Sequence, residues 1–201
     1  MLTIGLTGPS GAGKGLVASL FAGYGVPSID TDAVYHALLV PPSACLDELV
    51  ERFGRSILTP DGTLDRRALA AVVFAPGHED ELRDLNRITH RHVLDEARRR
   101  LAVYRVEGKD AVLVDAPQLF ESGFDAECDF VLAVLAPREL RMERIMARDH
   151  LDEARAVARL DAQKSDEFFH EHADAVLVND GRAEELADDI QNLLRLWGVI
   201  P

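Results

Sequence analysis

Apolar positions along the chain fall into two kinds of run. Five are short and do not alternate with polar residues: Leu2–Thr7, Val26–Ile29, Ala111–Asp115, Phe130–Leu135 and Ala175–Val178. Runs of this kind predict strands buried on both faces, as in a parallel sheet. Pro27 and Ser28 interrupt the second run. The other kind has helical spacing. Lys14–Ala22 reads as a helix stopped by Gly23 and Gly25, and Pro137–Arg148 as one with proline in the first turn, where no N–H is needed. In the latter, Met142, Ile145 and Met146 share a face. A last amphipathic helix, Ala183–Trp197, ends before Gly198. Strands alternating with helices predict an α/β fold, a five-stranded parallel sheet between helical layers.

The stretch from 33 to 109 breaks this alternation. Helical patterns at Ser43–Phe53, Arg66–Phe74 and Glu79–Leu101 are separated by Pro41-Pro42, Asp61-Gly62 and Pro76-Gly77, with no strand among them. This reads as a helical insertion between the second and third strands. A chain of 201 residues, 47% hydrophobic, suits one folded unit with such a subdomain. The formal charge of −13 disfavours a nucleic-acid partner but leaves room for a small anion held by a local basic cluster. No run approaches the ~20 apolar residues that cross a bilayer. Met1–Leu6 has no basic leader character and reads as a strand, so the expected location is the cytoplasm. Cys45 and Cys128 form no CxxC pair and fit reduced thiols better than a lone disulfide.

The chemistry starts at Gly8-Pro9-Ser10-Gly11-Ala12-Gly13-Lys14, a GxxxxGK loop between the first strand and the first helix. Its glycines let the backbone approach phosphates, the helix N-terminus holds their charge, and Lys14 adds a point charge for the β- and γ-phosphates. The position after the lysine, where the motif supplies a hydroxyl for Mg²⁺, is Gly15. A water could fill that role, since Mg²⁺ keeps several.

Asp30-Thr31-Asp32 follows the second strand, at the sheet edge where α/β folds bind ligands. A carboxylate there can accept the proton of an acceptor hydroxyl; equally, Asp30 or Asp32 could cap a helix beginning near Ala33. Asp115 ends the third strand and is either a metal-holding acid, directly or through water, or a turn residue before Ala116-Pro117. Arg141, Arg144 and Arg148 share a helix face, which suits a lid over a triphosphate or a solvated face paired with Glu143 and Asp149. His90 and His92, like His170 and His172, are two residues apart and make poor metal pairs. Glu48, Glu51 and the Glu184–Asp189 cluster read as solvated faces.

Together these segments resemble the dephospho-coenzyme A kinase family along almost the whole chain. Beside the loop and Asp30-Thr31-Asp32, Phe53-Gly54, Asp61-Gly62-Thr63-Leu64-Asp65-Arg66 and Phe74 are similar to its FG…DG-x-L-x-R…F segment. Asp115-Ala116-Pro117-Gln118-Leu119-Phe120-Glu121-Ser122-Gly123 resembles its D-x-PLLFE-x-G. Arg144, Arg148, Arg159 and Gln163 match its lid pattern, and Ala173-Asp174 with Asn179-Asp180-Gly181 its closing motif. His90 matches a His-Pro element, with Arg91 in the proline's place; Gln118 replaces a leucine, Gly15 and Leu16 two hydroxyl residues, and Pro9-Ser10 a Gly-Ile pair.

The resemblance implies a P-loop NTPase fold with the nucleotide core at 1–32 and 110–201, a lid at about 138–165 and an acceptor-binding insertion at 33–109. It implies ATP-dependent phosphorylation of the ribose 3′-hydroxyl of dephospho-coenzyme A with Mg²⁺. The chain itself is expected to be a monomer, with an oligomer as the alternative. Lys14, Asp32 and Arg144 would be catalytic, Asp32 as base or orienter. Gly8, Ser10, Gly11, Ala12, Gly13, Gly15 and Leu16 would join Lys14, Arg144 and Arg148 around the nucleotide, with Asn179 near the adenine end. Arg66, His90, Pro117, Leu119 and Glu121 would lie near the acceptor, and Asp115 near the metal. Gly15 keeps open a weak or non-catalytic nucleotide-binding relative, and Gln118 a kinase of another small acceptor.

Overall fold

The computed structural model describes residues 1–201. The elements run β1 (Leu2–Thr7), α1 (Lys14–Gly23), β2 (Ser28–Asp30), α2 (Thr31–Leu38), α3 (Ala44–Phe53), α4 (Arg66–Val73), α5 (Glu79–Val106), β3 (Ala111–Asp115), β4 (Phe130–Leu135), α6 (Arg138–Asp149), α7 (Glu153–Asp161), α8 (Asp166–His172), β5 (Ala175–Val178) and α9 (Ala183–Leu196), with short 3₁₀ turns at Arg55–Ile57 and Phe124–Glu127. Five parallel strands pair in the order β2-β3-β1-β4-β5. β1 is therefore central, and the loop leaving it stands at the middle of the sheet's C-terminal edge, where such folds bind ligands. No helix is long and apolar enough to cross a membrane.

The chain divides into two compact units, Met1–Asp30 with Leu101–Pro201, and Thr31–Arg100. In the first, α1 and α9 pack on the sheet through Val17, Phe21, Leu186, Ile190 and Leu194, all buried against Ile4, Leu6, Leu113 and Leu132. The opposite layer includes Phe169 of α8 against Ala133 and Leu135. Two aspartates fasten the strand starts. Asp129 donates its N–H to Thr3 O and accepts from Thr3 N, at 2.8 and 2.7 Å; Asp174 does the same with Val131, at 2.9 and 2.7 Å. Each pair fixes the register of a parallel neighbour, which no hairpin turn can set.

The second strand begins two residues later than its apolar run. Pro27 has no N–H for the ladder, and the Val26 N–H turns back to Phe21 O at 3.2 Å to close the end of α1. α8 was not legible as a helix. It has only seven residues, and Ser165 starts it by accepting the Phe168 N–H at 3.3 Å. Asp32 lies inside the first turn of α2, past the cap position, so only Asp30 immediately precedes that helix. Asp152 caps α7 through the Arg155 N–H at 2.9 Å.

The second unit is held by Leu39, Cys45, Leu49, Ile57, Leu69, Val73 and Ile88. Arg52 reaches Asp84 at 2.6 Å, tying α3 to α5. Glu48, read as part of a solvated face, is half-exposed and carries partners that its pattern does not show. Its Oε2 accepts from Arg91 and lies 2.9 Å from His92 Nε2, and the His92 bond leads the causes that lower its pKa. Both cysteines are free thiols. Burial, ahead of the neighbouring Glu48, pushes Cys45 up to about 11; burial, ahead of Asp125, pushes Cys128 up to about 12. Neither is a ready nucleophile near neutral pH.

Glu96 carries a titration that can be checked. Hydrogen bonds from Arg99, first, and Arg100 pull its pKa from 4.5 to about 2. The folded value is depressed, so the stabilisation is present above about pH 4.5 and is lost as pH falls towards about 2. Arg99 is 64% exposed, and solvent screening holds the effect to about 1 kcal/mol or less. Urea melts of wild type and Glu96→Gln are expected to differ by that amount at about pH 6 and to converge at about pH 2. A gap that persists unchanged in acid would contradict the pairing.

Candidate active site at the loop after the central strand

The loop joins Thr7, at the end of β1, to Lys14, the first residue of α1. Its path leaves no room for side chains at three of its glycines. At Gly8, with φ +133, a Cβ would overlap the carbonyl oxygen of Val134 in β4. At Gly11, with φ +81, a Cβ would fall 2.7 Å from the carbonyl oxygen of Arg141 in α6. At Gly13, with φ +99, it would overlap Nδ2 of Asn179. Gly13 precedes the first turn of α1 with no side-chain cap, so the first N–H groups of that helix lack intrahelical acceptors and form an anion site. Lys14 folds over the loop, its Nζ donating to Gly8 O at 3.2 Å. Gly15 differs from Gly8 and Gly13, because a Cβ there would meet nothing within 4 Å. The nearby Ser19 hydroxyl donates to Gly15 O at 2.8 Å and does not replace the missing one.

Two arginines of the α6 face, Arg144 and the exposed Arg148, reach this loop. Arg144 Nη1 donates to Gly11 O at 3.1 Å and Ala12 O at 3.4 Å. Arg148 donates to Ser10 Oγ at 3.2 Å and to Asp149 at 2.8 Å. Arg141 is 8% exposed and pairs with Asp166 of α8 at 3.2 Å, a partner its sequence neighbourhood did not suggest. Met142, Ile145 and Met146 pack on Ala156 and Leu160, making α6 and α7 a helical hairpin. Gln163, just past α7, accepts the Ser10 N–H at 3.0 Å. The sequence placed Gln163 in a motif without a role, and its i+4 spacing from Arg159 was the one available signal.

Asn179 follows β5 and is 3% exposed; its Nδ2 donates to Ala12 O at 2.8 Å, and its Oδ1 accepts from Arg144 at 3.4 Å. The structure therefore brings Ser10, Gly11, Ala12, Gly13, Lys14, Arg144, Arg148 and Asn179 together. Leu16 sits on α1, 41% exposed. Asp115 ends β3 with its Cα paired to Leu6 of β1 and Asp30 of β2, so two carboxylates stand side by side at the sheet's C-terminal edge. Beyond Asp115, Pro117 and Glu121 are exposed, whereas Leu119 is fully buried, with a Cβ on Gly5 falling 2.8 Å from its Cδ2. Leu119 thus anchors the loop and offers no surface to a ligand. Glu121 pairs with Lys164 at 3.4 Å, whose ammonium caps the Phe168 ring at 4.0 Å.

The remaining candidates lie in the other unit. Asp32 and His36 are one turn apart on α2, and Arg66, the first residue of α4, meets His36 Nδ1 at 2.9 Å. Arg66 thereby ties the start of α4 to the helix that carries Asp32. His90 is half-buried on α5.

The family model for dephospho-CoA kinase matches residues 2–185. A dephospho-CoA kinase of Bacillus cereus is 36% identical over 200 residues, 99% of this chain and 98% of its own. One from Anaeromyxobacter dehalogenans is 41% identical over 195 residues, 96% of this chain and 91% of its own. The solved dephospho-CoA kinase from Campylobacter jejuni superposes with a TM-score of 0.69 at 25% identity, covering 96% and 95% of the two chains.

Proposed function

Because the chain belongs to the dephospho-CoA kinase family, we infer that it moves the γ-phosphoryl group of ATP to the ribose 3′-hydroxyl of dephospho-coenzyme A, releasing coenzyme A and ADP. The observation that carries this reading is the family match along the chain, anchored on a loop whose glycines no other residue can replace. Neither the non-catalytic relative nor the kinase of another acceptor has a comparable observation in its favour.

In this reading the N–H groups at the start of α1 hold the nucleotide phosphates, and Lys14 leaves Gly8 O for the β/γ bridge. Asp32 accepts the proton of the acceptor hydroxyl as its oxygen attacks phosphorus and the bond to ADP breaks. Arg144 and Arg148, held on the loop, offset charge on the transferred group. Arg66, His90, Pro117 and Glu121 serve the acceptor, and buried Leu119 anchors the segment that carries Pro117 and Glu121. The unit Thr31–Arg100 corresponds to the acceptor-binding insertion, and the α6–α7 hairpin to the lid. One chain is taken as the working unit, in the cytoplasm.

The donors fit a water-rich Mg²⁺. Hard carboxylate oxygens stand at Asp115 and Asp30, and Gly15 brings none. Asp115, directly or through water, would hold the ion, which supplies charge neutralisation at the phosphates.

A coupled ADP-release assay with dephospho-coenzyme A and a panel of nucleoside monophosphates tests the reading; turnover no higher than the acceptor-free background would sink it. Gly15→Ser probes the metal in the same assay, since the added side chain meets no neighbour. With water completing the shell, kcat is expected to stay within about threefold at saturating Mg²⁺. A gain of about tenfold or more would mean that the native glycine handicaps the site.

A further inference from the structure

The resemblance puts Asn179 near adenine, but a side chain 3% exposed has no face left for a base. Its contacts point elsewhere. The Asn179 N–H donates to Leu135 O at 2.8 Å, which fixes its backbone to the central sheet. Its Nδ2 donates to Ala12 O at 2.8 Å, joining residues 167 positions apart in the chain. The carbonyl of Ala12 and the N–H of Gly13 belong to one planar trans peptide and point in opposite directions. A donor fixed on that carbonyl therefore aims the Gly13 N–H to the other side of the loop, and polarises it as a donor. Meanwhile Asn179 Oδ1 and its backbone oxygen accept from Arg144, at 3.4 and 3.5 Å. Asn179 also fills the space that a Cβ on Gly13 would take, so the glycine and the asparagine require each other.

We propose that Asn179 is a positioning residue that aims the Gly13 peptide and Arg144 at the phosphates, and is not a base contact. This rests on the kinase reading only for the choice of acceptor. The test uses the full-length protein as wild type, Asn179→Ala and Asn179→Asp. Aspartate keeps an oxygen for Arg144 but has no N–H for Ala12 O. Inorganic tripolyphosphate, which has no base, is titrated calorimetrically beside ATP, and kcat is measured with dephospho-coenzyme A.

Both variants are expected to bind tripolyphosphate and ATP about tenfold more weakly, in equal proportion. Their kcat is expected to fall about 10²-fold, as slight misplacement of reacting groups does. Melting curves establish that each variant is folded at the assay temperature. Retained tripolyphosphate affinity with weakened ATP binding would make Asn179 a base contact and overturn the proposal. Wild-type behaviour of both variants would overturn it too, as would failure of both to fold, since the role would then lie in the fold itself. The tripolyphosphate arm needs no acceptor. A wild type inactive on dephospho-coenzyme A would sink the proposed function while this inference is still decided.

Discussion

Asp32→Asn is expected to lower kcat by about 10²–10⁴-fold, the range that one positioned general base supplies. The substitution keeps shape and removes only the basic oxygen, so the KM for ATP should move little. Asp32 has a competing role. It stands in the first turn of α2, where a negative side chain complements the helix N-terminus. The two roles separate by readout. A helix-end role predicts a small fall in melting temperature with the rate unchanged, whereas a base predicts rate loss with the melting temperature nearly kept. His36, one turn further along α2, is bonded to Arg66, so the helix face has a second tether that should hold its geometry in the variant. Turnover within about threefold of wild type would return Asp32 to the helix-end role.

What the residues foretold follows from the range of the interactions involved. Leu2–Thr7, Ala111–Asp115, Phe130–Leu135 and Ala175–Val178 were legible because a strand buried on both faces must be apolar throughout, which is a local property. The glycine loop was legible for the same reason, since spacing within seven residues carries its chemistry. β2 was placed two residues early because apolarity does not report where an N–H goes, and Val26 spends its own on α1. The arginine face of α6 was visible as a pattern, but its spacing could not say what it faces. Arg141 is buried against Asp166, and Arg144 lies on loop carbonyls. The partners of Glu48, Arg91 and His92, were not legible because they are over forty positions away. Asn179 shows the same limit more sharply: the motif marked the residue, and only the fold shows that its amide ends on Ala12.

Gly8→Ala is expected to destroy the site, and Gly15→Ala, in the first turn of α1, to spare it. At Gly8 a methyl group meets the backbone carbonyl of Val134 in β4, a strand paired on both sides that cannot retreat. The positive φ adds backbone strain of about 1–3 kcal/mol, and forced overlap in a packed interior typically costs a further 1–3. At about 2–4 °C per kcal/mol for a chain of this size, melting should fall by roughly 5–20 °C. Any protein still folded should have lost ATP binding, because the shifted backbone can no longer present its N–H groups to phosphate. Gly15 lies inside α1 with open space where its Cβ would be, so alanine there should gain up to about 1 kcal/mol of helix stability. Thermal melts with and without ATP compare the two directly. If Gly8→Ala melts and binds like Gly15→Ala, the loop does not take the path that makes its first glycine obligatory. If both collapse, the helix start at Gly15 is more crowded than its neighbours show.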